Sequence, residues 1–341
     1  MIYRSKAPLR IGLAGGGTDV SPYSDEFGGA ILNATVSLSA NVSIEPLDEN
    51  KIIIEALDRQ EQSVFDWSKE LPINGKLDLL KGVYNRVQKD FNIPQKGFRL
   101  SSFVDAPAGS GLGTSSTLVV AILGAFVEMH NLPLGDYDIA HLAYQIERED
   151  LMLAGGKQDQ YAATFGGVNF MEFYAGDKVI VNPLRIKPAY MHELENNLVL
   201  YFTATSRESA TIIKEQVKNV HNKNEKSIEA MNQLKEQARM MKEALLKGRL
   251  NEIGEILDFG FEQKRKMADN ISNSNIEDIY NAAKKAGATG GKISGAGGGG
   301  FMIFYCPKNT RYAVIDTLNS FGGSINKYSF TKYGLTTWTA V

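Results

Sequence analysis

The segment Pro107-Ala108-Gly109-Ser110-Gly111-Leu112-Gly113-Thr114-Ser115-Ser116 connects a predicted strand to a predicted helix rich in Ala, Leu and Val. Glycines let a backbone approach a ligand closely, and free N–H groups together with the macrodipole make a helix N-terminus an anion site. The hydroxyls of the segment suit phosphate oxygens or a magnesium ion. It has no Gly-Lys-Ser/Thr and is therefore not a Walker A loop. We predict a phosphate-binding loop, with an ordinary Ser/Gly helix-capping turn as the alternative.

Two further segments are rich in glycine. The first, Ala7-Pro8-Leu9-Arg10-Ile11-Gly12-Leu13-Ala14-Gly15-Gly16-Gly17-Thr18-Asp19, follows a predicted strand, but its spacing is not that of a dinucleotide-binding unit. Asp19 could accept hydrogen bonds from sugar hydroxyls, or Thr18 or Asp19 could cap a helix. The other, Gly290-Gly291-Lys292-Ile293-Ser294-Gly295-Ala296-Gly297-Gly298-Gly299-Gly300, favours an ordered loop against a ligand over a flexible linker. In chain order, we call the three segments glycine loops one, two and three.

Asp159 is the acidic residue whose sequence context most clearly indicates a function. It follows a glycine pair and starts an apolar helix, so it could be only a helix cap. As a functional group it could orient or deprotonate an attacking hydroxyl. The chain has four histidines, none in a metal-like pattern, so a carboxylate is the better candidate for a base.

Hydrophobic periodicity predicts a sheet-rich first half and a helix-rich second half. Residues 34–45 alternate between apolar and polar side chains, which indicates a strand with one buried face. The predicted strands cover residues 9–14, 34–45, 51–57, 98–104, 167–173, 179–184, 198–202, 301–306, 324–330 and 336–339. The predicted helices cover residues 75–91, 114–129, 137–153, 158–165, 208–220, 225–246, 251–267, 276–286 and 311–321. Charged residues within 206–286 are interspersed and predict solvated helix faces. A domain boundary is expected between 184 and 206, which gives units of 1–190 and 191–341.

Composition excludes several classes of protein. The 341 residues are 43% hydrophobic and 22% charged, with a formal net charge of −2, so no overall basic field would attract nucleic acid or a membrane surface. The single cysteine, Cys306, excludes an internal disulfide and a Cys-based zinc site, and its apolar neighbours predict a packed core thiol. No apolar run reaches the roughly 20 residues of a membrane span, and no secretory leader is evident. We expect a cytoplasmic protein.

Loop two resembles the Pro-x-x-x-Gly-Leu-Gly-Ser-Ser signature of the GHMP kinases, the superfamily of galactokinase, homoserine kinase and mevalonate kinase. The other two glycine loops stand where that superfamily has its first and third motifs. Residues 10–23 and Thr205-Ser206-Arg207-Glu208-Ser209 resemble the D-glycero-D-manno-heptose 7-phosphate kinases in particular. The resemblance implies an α+β, two-domain fold. Its N-terminal domain would be sheet-rich and like ribosomal protein S5 domain 2, and its C-terminal domain helix-rich and ferredoxin-like.

The resemblance also implies roles for individual residues, with ATP and Mg²⁺ as cofactors. Asp159 would be the catalytic base and Arg10 would lie near the reacting groups. Ser115 and Glu147 would hold magnesium, and Thr114 replaces the usual first serine but keeps its hydroxyl. The nucleotide would contact Pro107, Gly109, Ser110, Gly111, Leu112, Gly113, Thr114, Ser115 and Ser116. The acceptor would contact Gly16, Gly17, Thr18, Asp19, Arg207, Gly295, Gly297 and Gly298.

The activity implied is phosphorylation of the anomeric hydroxyl of D-glycero-D-manno-heptose 7-phosphate. Arg207 is the first candidate to clamp the acceptor's phosphate, with Lys6 and Lys292 behind it, because Arg can bind phosphate through two N–H groups. A kinase for another sugar, such as fucose or galactose, is the alternative, although Gly-Gly-Thr-Asp in place of Gly-Glu-His argues against galactose. A non-catalytic sugar sensor would be expected to lack the base or the magnesium ligands. A monomer or homodimer is expected, and Trp67 is a core residue rather than part of an adenine pocket.

Overall fold

The computed structural model describes residues 1–204 and 209–341. The strands are β1 Ile2–Ala14, β2 Gly29–Pro46, β3 Lys51–Ala56, β4 Glu61–Asp66, β5 Phe98–Val104, β6 Val168–Phe173, β7 Val179–Pro183, β8 Leu198–Phe202, β9 Gly290–Ile293, β10 Phe301–Tyr305, β11 Ser324–Ile325 and β12 Thr336–Ala340. The helices are α1 Tyr23–Phe27, α2 Asp78–Phe91, α3 Thr114–His130, α4 Asp136–Gln145, α5 Gln158–Phe165, α6 Pro188–Asn197, α7 Ser209–His221, α8 Glu225–Lys247, α9 Ile253–Lys264, α10 Ser274–Lys285 and α11 Arg311–Asn319. None of the helices within these ranges combines the length and apolarity that crossing a membrane demands.

The larger sheet has eight strands, six of them in the order β12-β1-β2-β5-β3-β4. Strand β6 also pairs with β2, and β7 pairs with β6. All its pairings are antiparallel except that of β3 with β5. The last strand, β12, pairs with β1, so the sheet of the predicted N-terminal unit includes residues far beyond position 190. The division at 190 stays a prediction.

The register between β1 and β2 shifts beside Arg10. Pro8 pairs with Ser39, whereas Arg10 pairs with Thr35. Across this bulge Ala7 belongs to the core beneath α3, while Leu9 and the apolar residues that alternate after it belong to the core against α8. Because successive side chains of a strand point to opposite faces, Arg10 is directed away from the α8 core and toward α5.

The prediction of one buried face for residues 34–45 was wrong in part. Thr35 and Ser39 are buried, as are the apolar Ala34, Val36 and Ala40. The reason is that helices cover both sides of the sheet here, with α3 on one side of β2 and α8 on the other. The polar side chains find internal partners: Thr35 Oγ1 donates to Thr331 O, and Ser39 Oγ donates to Asp105 Oδ2.

The smaller sheet has the strand order β11-β8-β10-β9 and is antiparallel throughout. Helices α7 to α10 connect β8 to β9, and α11 connects β10 to β11, which gives the β-α-β-β-α-β order of a ferredoxin-like unit. The helix-rich, ferredoxin-like C-terminal unit is thereby confirmed. Cys306 follows β10 and is fully buried, as predicted, and burial raises the pKa of its thiol to about 12.

Several elements differ from the predictions, and three of the differences are instructive. The predicted helix 137–153 ends at Gln145 and continues only as a π-helical turn, Ile146–Asp150. The predicted strand 324–330 is confined to Ser324–Ile325. Strand β9 lies inside glycine loop three, which was predicted as an ordered loop rather than a strand. Its glycines allow close packing, because a Cβ on Gly290 would lie 1.8 Å from the carbonyl oxygen of Gly254.

Candidate active site

A cavity of about 280 Å³ lies where the three glycine loops meet α5, α7 and α9. Loop one contributes Arg10, Gly17 and Asp19 to its wall, and loop three contributes Gly295 and Ala296. Loop two contributes Gly109, Gly111, Gly113, Thr114, Ser115 and Ser116. The structure therefore brings together segments that are almost 300 residues apart in the sequence, as the motif-based prediction required.

Loop two forms the N-terminus of α3, as predicted. Gly113 is the residue before the helix and has a φ of 78°, a left-handed conformation that disfavours residues with a side chain. The first N–H groups of the 17-residue helix have no partners within the helix. They are therefore available to an anion that binds in the cavity. Three of the predicted nucleotide contacts do not line the cavity, namely Pro107, Ser110 and Leu112. Ser110 and Leu112 are fully buried beneath the loop.

Loop three packs directly on loop two. Ser294 Oγ donates to Gly111 O over 2.8 Å, and the N–H of Phe301 donates to Ser110 O over 2.8 Å. A Cβ on Gly295 would lie 2.6 Å from the Cα of Gly111, so neither backbone has space for a side chain. Gly297 and Gly298, predicted to contact the acceptor, do not line the cavity; they pack against Ile271, whose carbonyl oxygen accepts the N–H of Gly298 over 2.8 Å.

Arg10 links loop two to Asp159. Its Nε donates to Asp159 Oδ1 over 2.7 Å, and its Nη1 donates to Gly111 O over 2.5 Å. Arg10 is buried, whereas 23% of the Asp159 side chain is exposed to the cavity. Lys157 occupies the N-cap position of α5, so Asp159 lies in the first turn and is not the N-cap residue. A carboxylate with one oxygen on a fixed cation and an open approach can accept a proton from a bound hydroxyl.

Asp19 holds the helix that carries Asp159. Its Oδ2 accepts the N–H groups of Lys157 and Gln158 over 2.8 and 3.0 Å, so it caps α5 from a distant part of the chain. A Cβ on Gly156 would overlap the Asp19 carboxylate, which explains the glycine. The other oxygen, Oδ1, is buried and has no hydrogen-bond partner among the residues that the structure describes. Burial raises the pKa of this carboxyl, and the charge of Asp159 raises it further.

Glu147 lies on the π-helical turn and is also buried. Gln160 Nε2 donates to Glu147 Oε2 and, over 3.1 Å, to Ser116 Oγ. Burial raises the pKa of Glu147, and the neighbouring Arg148 opposes that rise. Ser115 lies on the exposed side of the helix start and Ser116 on the buried side, so the hydroxyl in the Glu147 network is that of Ser116. Gln160, fully buried in a helix predicted only as apolar, gave no functional signal in the sequence.

Lys264 is a cavity residue that the sequence analysis missed. It was taken as part of a solvated helix face, but it is buried at the end of α9 and its Nζ donates to Gly295 O over 2.6 Å. Burial and the charge of Arg10 lower its pKa to about 8, and Asp19 opposes that shift. A signal was present, because Lys264 follows Leu257 and Phe261 at the spacing of the buried stripe of α9.

Of the predicted phosphate-clamping residues, Lys6 and Lys292 do not line the cavity. Arg207 lies outside the described residues. Lys6 is exposed on β1, beside β12. Lys292 is buried, and its Nζ donates to Gly12 O over 2.9 Å. Burial lowers its pKa well below the usual value, and the nearby Lys264 and Arg10 lower it further. Gly16, predicted to contact the acceptor, lies next to the ammonium groups of Lys264 and Lys292.

Comparison with known proteins identifies the class to which this fold and cavity belong. The GHMP kinases N terminal domain matches residues 78–167, and the GHMP kinases C terminal domain matches residues 241–324. The chain belongs to the GHMP kinase family. This confirms the two-domain fold and the phosphotransferase class predicted from the glycine loops, and the family's use of ATP fits loop two.

Individual relatives extend over nearly the whole chain. The chain is 47% identical over 335 residues to the D-glycero-alpha-D-manno-heptose 7-phosphate kinase of Campylobacter jejuni, covering 98% of each chain. A crystal structure of a D-glycero-D-manno-heptose 1-phosphate kinase from Bacteroides thetaiotaomicron superposes with a TM-score of 0.86 at 45% identity, covering 99% of each chain. The bifunctional fucokinase/GDP-fucose pyrophosphorylase of Arabidopsis thaliana is 28% identical over 87% of this chain and 29% of its own length.

Proposed function

We propose that this protein transfers the γ-phosphoryl group of ATP to the anomeric hydroxyl of D-glycero-D-manno-heptose 7-phosphate. The product would be the 1,7-bisphosphate, a precursor for nucleotide-activated heptose. The observation that carries the proposal is the Arg10–Asp159 pair, which faces the N-terminus of α3 across one cavity. The heptose phosphate kinases at 45% and 47% identity support the choice of sugar.

The proposed reaction uses the groups in distinct ways. Loop two would hold the phosphates of ATP through its N–H groups, and Arg10 would stabilise the charge that develops on the transferred group. The anomeric oxygen attacks the γ-phosphorus while the bond from that phosphorus to the β,γ-bridging oxygen breaks and ADP leaves. Asp159 accepts the proton of the attacking hydroxyl. An anomeric hydroxyl is more acidic than an ordinary alcohol, which makes it easier for a carboxylate to serve as the base.

Magnesium fits the site as an ion shared with the nucleotide. Within the described ranges no three His, Cys, Asp or Glu side chains cluster in the way an all-protein metal site requires. Magnesium in kinases needs only one or two protein ligands, because phosphates and water supply the rest. Glu147 is buried at the cavity wall, and Ser115, at the start of α3, lines the same cavity. These two residues would hold the ion, which would neutralise phosphate charge.

The test of the function is a panel of acceptors with ATP and magnesium. ADP release would be followed with heptose 7-phosphate, mannose 6-phosphate, sedoheptulose 7-phosphate, fucose, galactose and mevalonate, and ³¹P NMR would locate the new phosphate. We expect efficient turnover only with heptose 7-phosphate and a new signal at the anomeric position. Turnover confined to fucose or another unphosphorylated sugar would change the proposed acceptor but keep the kinase activity. If none of the acceptors is phosphorylated, the result would favour a sugar sensor.

Glu147→Gln is expected to raise the magnesium concentration that gives half-maximal activity by about tenfold or more, because the amide keeps the shape but loses the charge. The measurement is activity against magnesium at fixed ATP, supported by calorimetric titration of Mg²⁺ with ADP. Glu149→Gln is the matched control, since Glu149 is exposed two residues further on and does not line the cavity. An unchanged magnesium requirement in Glu147→Gln would remove Glu147 as a metal ligand.

A further inference from the structure

Two buried, oppositely charged side chains in the cavity have unused hydrogen-bonding capacity. Lys264 is 3% exposed, and its ammonium, which carries three N–H donors, donates only to Gly295 O among the described residues. Asp19 is 1% exposed, and its Oδ1 accepts from none of them. Both side chains line the cavity. Buried polar atoms without partners are rare and call for an explanation.

These two described side chains form no ion pair with each other, although each lies within the electrostatic influence of the other. Each is fixed by a separate anchor. Asp19 is held by the two N–H groups at the start of α5, and Lys264 by α9 and the carbonyl of Gly295. The anchors keep a donor and an acceptor facing one cavity without allowing them to satisfy each other.

We propose that Lys264 and Asp19 together bind a hydroxyl group, or two adjacent hydroxyl groups, of the sugar acceptor. A hydroxyl both donates and accepts, so it can donate to Asp19 Oδ1 and accept from Lys264 Nζ. This assignment rests on the proposed function, and it adds Lys264 as a residue that determines specificity for polyols. Sugar hydroxyls would supply the hydrogen bonds that both buried charges lack.

A hydroxyl fits this position better than the acceptor's phosphate does. A phosphate bound to Lys264 would approach Oδ1 of Asp19. The negative charge of Asp159 also acts on Asp19 and would repel the phosphate as well. Like charges disfavour each other strongly where water is excluded. A neutral hydroxyl group gains from both the cation and the anion. The remote phosphate of the acceptor is therefore held by other groups.

The variant Lys264→Met tests the assignment, because methionine keeps the length of the side chain and removes its donors. We expect the KM for heptose 7-phosphate to rise about 10- to 100-fold, the range for lost hydrogen bonds to a charged group. The KM for ATP should stay within about twofold. Lys266→Met is the matched control, since Lys266 is exposed two residues further on. Thermal melting would verify folding, and no loss of stability is expected because burying an ammonium is unfavourable.

Two further acceptors separate the hydroxyl from the phosphate. Free heptose, without its 7-phosphate, should suffer the same fold-increase in KM from Lys264→Met. A deoxy analogue that lacks the hydroxyl bound by Lys264 and Asp19 should have a high KM with the wild type. The Lys264→Met substitution should raise that KM little further, because the hydrogen bond is already missing. If the penalty disappears with free heptose, Lys264 binds the phosphate and the assignment is overturned. An unchanged acceptor KM in Lys264→Met overturns it as well. A wild-type protein that phosphorylates no sugar overturns the proposed function itself.

Discussion

Asp159→Asn is expected to lower kcat by about a thousandfold, within the usual range for loss of a general base. The amide has nearly the shape of the carboxylate, and its oxygen can still accept from Arg10 Nε, which now lies 2.7 Å from Asp159 Oδ1. The geometry of loop two should therefore persist, because the second bond of Arg10, to Gly111 O, is untouched. What is lost is the ability to accept the proton of the attacking hydroxyl.

The measurement is single-turnover phosphoryl transfer with the identified acceptor, together with the KM for ATP, which should stay within about twofold of the wild-type value. Asp136→Asn is the control, since Asp136 is an exposed carboxylate in the first turn of another helix, α4, away from the cavity. It should leave kcat unchanged. If Asp159→Asn keeps more than about a tenth of the wild-type kcat, Asp159 is not the base.

Gly111→Ala is expected to lower the free energy of unfolding by about 3 kcal/mol and kcat/KM by on the order of a hundredfold. Gly111 has a φ of 85°, and a Cβ there would lie 2.4 Å from the carbonyl oxygen of Ser294. The neighbour is backbone and has little freedom to move, so loops two and three must separate. That separation would displace the N–H groups proposed to bind phosphate and the carbonyl of Gly111 that accepts from Arg10.

Gly75→Ala isolates the effect of backbone strain from that of the contact. Gly75 has a closely similar φ of 90°, but nothing lies within 4 Å of its added Cβ. It should lose only about 1 to 2 kcal/mol. Chemical denaturation of both variants gives the two free energies, and steady-state kinetics gives kcat/KM. Equal losses in the two variants would mean that the contact between loops two and three does not constrain the site.

Loop two and Asp159, which both line the cavity, could be singled out from the sequence because their signals are local. Loop two combines glycines, hydroxyls and a helix start within ten residues, and Asp159 opens a helix. The free Oδ1 of Asp19 could not be foreseen, because its cause is the start of a helix some 140 residues away. Lys264 was overlooked for a different reason. Its place in the buried stripe of α9 is visible in the pattern, but lysine is almost never fully buried and was given its usual exposed position.

The fold was predictable where periodicity was strong and uncertain where distant segments decide the structure. Helix α3 was predicted to within one residue at its end. The two-sided burial of β2 was missed because it depends on α8, which follows almost 200 residues later. Strand β9 was missed because its glycines serve close backbone packing, and composition alone cannot distinguish that from a loop.

The pairing of β12 with β1 also affects how the protein is made. Residues 2–6 form one side of a ladder whose other side, residues 336–340, leaves the ribosome more than 300 residues later. Throughout that interval of translation the outer edge of β1 has no native partner, and an open strand edge can pair with other chains. Completion of the larger sheet must therefore wait until residues 336–340 have been synthesised, even though most of its strands are made early.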